Sequence, residues 1–292
     1  MVCGMSAPST TGRLVDIGDT RLHVVERGAG YPVILLHGGP GLDHHEFADY
    51  LDPLTDEHRL LLVDQRAQGR SERADPATWT LGQMAADVVS LARALDLPSY
   101  AVLGHSFGAF VALQWAVEYP DEPGPAIISS GLPSSRYLDR VAERLETFEP
   151  VELRERVAAS WAREQSVQTP EDVAALLHDQ MPFHFCDPLD PRIEEFERRS
   201  AGAVYSPEVL RHFAQAGYGD IDVEDRLAGV RRHVLVLAGR HDRTCDVEGS
   251  RVIAEAIPDG ELVVFEDSAH MTYVEETDLY LDVVRSYLAR CR

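Results

Sequence analysis

Two rhythms of apolar residues alternate along the chain. Residues 13–17 and 21–27 mix apolar and polar positions around the turn signal Gly18-Asp19, the pattern of two short antiparallel strands. Beyond them come unbroken apolar runs at 32–36 (PVILL), 60–63, 100–103, 126–128, 234–237 and 262–265. Such runs predict strands buried on both faces. Between the runs, apolar residues recur at helical spacing over 81–95, behind Thr80 as N-cap, and over 107–119, stopped by Pro120. The segments 246–257 and 279–288 bracket the last strand in the same way. Strands alternating with helices predict a mostly parallel central sheet joined by crossovers and flanked by helices.

The alternation fails between Pro133 and Leu227. This stretch is charged, shows no buried strand pattern, and reads as helical, with amphipathic segments at 151–164 and 190–199. Pro170, Pro182, Pro188, Pro191 and Pro207 punctuate it. The expected organisation is an α/β core made of residues 1–132 and 228–292, with a helical cap, 133–227, inserted between two core strands. A chain of 292 residues accommodates both.

Charge narrows the partners. The formal net charge of −22 repels phosphate backbones and anionic lipid, so neither nucleic acid nor membrane is expected as a partner. All 27 basic residues are arginine; lysine and asparagine are absent. That excludes a Schiff-base lysine, a Ser-Lys dyad, a P-loop lysine and an N-glycosylation acceptor. Cys3, Cys186, Cys245 and Cys291 match neither a disulfide framework nor a zinc knuckle, and read as free thiols of a reducing compartment. Residues 1–13 lack the pattern of a signal peptide, and no apolar run reaches transmembrane length, so the expected location is cytoplasmic.

The chemistry starts at Gly104-His105-Ser106-Phe107-Gly108, which fits G-x-S-x-G. An apolar run precedes it and an amphipathic helix follows, the strand–turn–helix context of a nucleophile elbow. The turn is strained, so residues close to the serine must be small, as Gly104 and Gly108 are, and the helix N-terminus directs free N–H groups at the reacting centre. These features predict the α/β-hydrolase fold with Ser106 as nucleophile. After the run 32–36 comes His37-Gly38-Gly39-Pro40-Gly41. In this fold a backbone N–H from that loop joins the N–H following the nucleophile, so Gly39 and Phe107 are the expected oxyanion-hole donors, with Gly38 as the alternative. His37 is expected to orient the loop.

Chain order then requires an acid and a histidine after the serine. Asp242 lies just past the run 234–237, whereas its rival Asp246 falls where a helix should begin. His270 follows the last strand; His241 is the weaker competitor, and His105 should point away from its neighbour Ser106. No HExxH or similar spacing appears, so no metal and no cofactor are expected.

The loop 37–41 resembles the HGGPG signature of proline iminopeptidases, and Asp64-Gln65-Arg66-Ala67-Gln68-Gly69-Arg70-Ser71 is similar to their DQRGxGRS stretch. The resemblance implies removal of an N-terminal residue from a peptide or an aminoacylated small molecule. It also implies carboxylates that hold the substrate ammonium, some from the cap: Glu208 first, then Glu194, Glu195 and Glu197. Departures bear on specificity. The elbow is not GGSWG, Ala67 replaces a glycine, and Arg243 stands where some relatives carry a second ammonium-binding glutamate. A broader aminopeptidase therefore fits as well as a proline-specific one. The alternatives are a carboxylesterase or lactonase on the same core and a non-catalytic binding protein on this scaffold. Epoxide hydrolases and haloalkane dehalogenases need an aspartate at position 106.

Overall fold

The computed structural model describes residues 12–291. Its strands are β1 (Arg13–Asp16), β2 (Arg21–Gly28), β3 (Tyr31–Leu36), β4 (His58–Asp64), β5 (Ala101–His105), β6 (Ala126–Ser129), β7 (Val234–Gly239) and β8 (Gly260–Phe265). They form one sheet in the order β1-β2-β4-β3-β5-β6-β7-β8. β2 is antiparallel to β1 and β4; every pair from β4 to β8 is parallel.

In the core strands consecutive side chains leave for opposite faces, as the two-residue period of a strand demands. Ile34 and Leu36 of β3 join one apolar cluster, and Val33 and Leu35 join the other. The first cluster is completed by helices α1 (Leu81–Ala94), α2 (Phe107–Glu118) and α8 (Val247–Ala256). The second is covered by α9 (Thr272–Glu275) and α10 (Thr277–Arg290). Two covered faces explain why the runs are continuously apolar. β8 departs from that expectation: it ends the sheet, and only Phe265 of its six residues is buried.

Between β6 and β7 the chain makes α3 (Asp139–Glu146), α4 (Val151–Arg163), α5 (Pro170–His184), α6 (Arg192–Arg199) and α7 (Pro207–Gln215). Val141, Phe148, Val157 and Phe183 give this segment a small apolar centre of its own. Not every proline breaks a helix here: Pro170 opens α5 behind the capping box of Thr169 and Asp172, but Pro182 lies inside α5, near its end. Thr80 caps α1 as expected, accepting the Gln83 N–H at 3.1 Å.

Register sets up the site. Leu36 pairs with Gly104, His105 with Ser129, Ser129 with Leu237 and Gly239 with Phe265. The loops leaving β3, β5, β7 and β8 therefore emerge along the same edge of the sheet, the edge where ligands gather in open α/β sheets. Among the described residues no helix is long and apolar enough to cross a membrane. Cys186, Cys245 and Cys291 are unpaired, and Cys3 lies outside the described residues.

Candidate active site

Ser106 sits between β5 and α2 with φ 55° and ψ −118°. This backbone is costly for a residue with a side chain, and it persists because its surroundings allow nothing else. A Cβ on Gly104 would stand 2.0 Å from the Gly108 carbonyl oxygen, and one on Gly108 would stand 2.1 Å from that of Leu36. The elbow can pack only without those carbons. Ala109 and Phe110 N–H groups bond back to the Ser106 carbonyl and close the first turn of α2.

The Phe107 N–H, one residue past the serine, has no hydrogen-bond partner among the described residues, and neither does the Gly39 N–H. Both residues line the cavity that also holds Ser106 and His270. Gly39 has φ 102°, a conformation that favours glycine. Gly38, the alternative donor, is already engaged: its N–H bonds the Glu46 carboxylate. His37 steadies the loop as expected. Its Nδ1 is 2.8 Å from Gly38 O, and its Nε2 accepts from the Gln65 N–H at 3.3 Å.

Asp242 Oδ2 lies 2.8 Å from His270 Nδ1. Asp242 Oδ1 accepts the N–H groups of Thr244 and Cys245. The rival Asp246 caps α8, accepting from Gly249 N–H, and pairs with Arg140 and Arg144. The His270 N–H bonds His184 O at 2.9 Å, and the His270 carbonyl accepts from Ser130 Oγ at 2.9 Å, so the imidazole hangs from a fixed backbone.

Electrostatics separates three neighbouring imidazoles. The rings of His105 and His184 each lie 5.0 Å from that of His270. Burial pushes both well below the ordinary histidine range, and the charge of His270 adds to the effect. Burial would lower His270 too, but the Asp242 charge and hydrogen bond outweigh it and hold its pKa raised. His105 packs beside the His270 ring, with its Nδ1 3.3 Å from Ser129 Oγ.

The cavity measures ≈ 320 Å³. Phe110, Leu138, Trp161, Leu176, Leu177 and Met181 form its apolar wall. Its charged lining is acidic: Asp43, Glu46, Glu164 and Glu197 face it, and among the described residues no arginine does. Of the four glutamates expected from the resemblance, only Glu197 lines this cavity, bonded to His178 Nδ1 at 2.8 Å. Glu208 pairs with Arg73 at 3.0 Å, Glu195 lies near Arg199, and Glu194 is exposed. Glu208 opens α7 and Glu194 and Glu195 lie in the first turn of α6, on faces turned to solvent.

Sequence reasoning missed three carboxylates. Glu46 follows the glycine loop and lines the cavity; burial pushes its carboxyl up to about 7, against the opposing pull of the Gly38 N–H and His270. Glu164 ends α4 and accepts from Gln180 Nε2 and the Tyr218 hydroxyl; burial raises it to about 7 despite those donors. Glu275 accepts from Cys186 N–H at 2.7 Å and Ala269 N–H at 2.8 Å, tying the loop of His270 to the inserted segment. Only Glu46 had a sequence signal, a charge five residues past the glycines. Arg243 donates to the carbonyls of Phe183, Phe185 and Cys186, and so serves as a strut beneath the end of α5.

His23, His44 and Asp64 bring ligand-type atoms within 4.8 Å of one another. The Asp64 carboxylate there already accepts the N–H groups of His44 and Arg70. Burial alone would raise its pKa, but the close contact of His23 Nδ1 at 3.1 Å and the hydrogen bond of His44 hold it well below the usual range. This cluster is a hub that ties the 64–71 stretch to the loop after β3.

Sheet order, elbow and loop edge define a class, and the chain belongs to it: residues 31–277 match the α/β-hydrolase fold family. Within that class it is similar to the proline iminopeptidase of Heyndrickxia coagulans, 28% identical over 273 residues that cover 90% of this chain and 92% of the relative. Two solved structures share the fold. One is an α/β fold family hydrolase from Bacillus anthracis, with TM-score 0.79 and 23% identity over 94% of this chain and 98% of that one. The other is an esterase from Exiguobacterium antarcticum, with TM-score 0.74 and 22% identity over 96% of this chain and 100% of that one.

Proposed function

We propose that the protein is a serine hydrolase that removes an N-terminal aminoacyl residue from a peptide or an aminoacylated small molecule. Ser106 is the nucleophile, His270 the general base, and Asp242 holds the imidazole in the tautomer whose free nitrogen is Nε2. His270 takes the Ser106 proton as the serine oxygen attacks the carbonyl carbon. The oxyanion is held by the N–H groups of Gly39 and Phe107, each contributing about 3 kcal/mol to the transition state. The imidazolium returns its proton to the leaving amine, and water then releases the acyl group by the same route. Residues 133–227 act as a cap over the site, to whose apolar wall α4 gives Trp161 and α5 gives Leu176, Leu177 and Met181.

One observation carries the reading: Ser106 and the Asp242-bonded His270 open on a cavity whose charged lining, among the described residues, is carboxylate apart from histidine. Such a lining favours a cationic substrate in a site that excludes water. The likeness to proline iminopeptidases agrees with it. A panel of aminoacyl arylamides, each compared with its N-acetyl form, tests it: turnover of the free amines with at least tenfold preference is expected. A fluorophosphonate should label the protein and fail to label Ser106→Ala.

A second reading, a carboxylesterase on the same core, is favoured by Arg243, which leaves no carboxylate beside Asp242. Equal rates on free and N-acetylated substrates would establish it in place of the first.

A further inference from the structure

Resting on the aminoacyl reading above, we propose that Glu46, on the loop after β3, is the carboxylate that receives the substrate's α-ammonium group.

Distance is the first argument. The α-nitrogen of an aminoacyl group is one carbon removed from the carbonyl under attack, so its receptor must lie within a few ångströms of the serine. A Cβ on Gly38 would stand 2.7 Å from Glu46 Oε1 and 3.0 Å from Ser106 Cβ, which puts that oxygen within about 6 Å of the nucleophile's own side chain. The gap between them spans an ammonium and one carbon.

Availability is the second. Glu46 Oε2 is occupied by the Gly38 N–H, which fixes the plane of the carboxylate; Oε1 has no hydrogen-bond partner among the described residues. The Glu46 carbonyl is held in turn by the Tyr273 hydroxyl at 3.1 Å. The other acids at the cavity are committed. Asp43 takes the Arg70 guanidinium, the His45 ring and the Val204 N–H. Glu164 uses both oxygens, on Gln180 and Tyr218. Glu197 pairs with His178 and is one-third exposed, at the rim.

Energetics is the third. A half-buried carboxylate beside a glycine loop, with no ion-pair partner within 4 Å among the described residues, is unfavourable, and its raised carboxyl pKa agrees with that cost. An ammonium at Oε1 supplies the missing charge. Catalysis is served as well, because an amine anchored there and a carbonyl oxygen at Gly39 and Phe107 hold the acyl carbon over Ser106 from two sides.

The test compares phenylalanine 4-nitroanilide with the 4-nitrophenyl ester of 3-phenylpropionate, which lacks the amino group, in wild type, Glu46→Gln, Glu46→Asp and Glu164→Gln. The readout is the ratio of the two kcat/KM values, which cancels any difference in active enzyme. Loss of a charge-assisted hydrogen bond should lower the ratio roughly tenfold to a hundredfold in Glu46→Gln. Glu46→Asp should keep part of it, and Glu164→Gln, at an acid whose two oxygens are already committed, should lower the ratio by far less than Glu46→Gln. An unchanged ratio in Glu46→Gln, or a fall confined to Glu164→Gln, overturns the assignment while the aminoacyl reading stands. A wild type that cleaves the ester and no aminoacyl compound overturns both. If Glu46→Gln loses all activity, Glu46→Asp decides: a wild-type ratio with a uniform loss of rate would mean that Glu46 acts only by holding the Gly38 loop.

Discussion

Asp242 and His270 meet at 2.8 Å across two loops that leave neighbouring strands, and both side chains are almost fully buried. The carboxylate is held on its other oxygen by two backbone N–H groups, so it cannot turn away from the imidazole. Of the three clustered imidazoles, His270 alone has its pKa raised, through the Asp242 charge and hydrogen bond, while burial pushes His105 and His184 well below the ordinary range.

The sign of the pH dependence follows. In the proposed mechanism His270 accepts the serine proton only when neutral, and its pKa is raised above 6.5. kcat/KM should therefore climb with pH through an inflection above 6.5. Asp242→Asn removes the charge and leaves the wrong tautomer, and should lower kcat by roughly 10³- to 10⁴-fold. A wild-type inflection well below 6.5 would contradict the role given to Asp242.

Glu164 predicts a pH dependence of stability. Its carboxyl titrates at about 7 in the fold, against an ordinary value of 4.5. The folded state thus keeps a proton that the unfolded chain releases. This stabilisation is complete below the ordinary value and is lost as pH rises through about 7. Glu164→Gln should be more stable than wild type at pH 8, on the order of 1 to 3 kcal/mol, with the difference shrinking toward pH 5. Thermal melts at the two pH values measure it.

Arg66 and Asp87 form a two-pronged ion pair at 2.6 and 2.7 Å, with side chains 1% and 5% exposed. Arg66→Ala would strand a buried carboxylate and should cost about 3–5 kcal/mol in urea unfolding. Arg66 does not line the cavity, so kcat per labelled active site should stay near wild type.

Gly104→Ala forces a methyl group to within 2.0 Å of the Gly108 carbonyl, backbone against backbone. The elbow must open to admit it. Stability should fall by about 1–3 kcal/mol or more. Fluorophosphonate labelling of Ser106 should slow by more than the loss of folded protein explains.

Much of the fold was legible because its signals are local. The run at 32–36 became β3 (Tyr31–Leu36), and the helical spacing at 107–119 became α2 (Phe107–Glu118). β8 was read as fully buried because an edge strand and a central strand carry the same apolar residues; only the sheet order tells them apart. Proline spacing punctuates the inserted segment without telling which prolines lie inside a helix: Pro182 sits within α5, two residues from its end.

Motif and chain order by themselves singled out Ser106, Asp242 and His270, because an elbow between strand and helix and a residue just past a strand end are features of neighbouring positions. Tertiary structure alone decided which carboxylates face the cavity. Glu208 and Glu46 are both glutamates near a helix start, but one is turned outward to Arg73 and the other inward beside Gly38. Burial depends on what packs against a residue from distant parts of the chain, and sequence spacing carries no record of that.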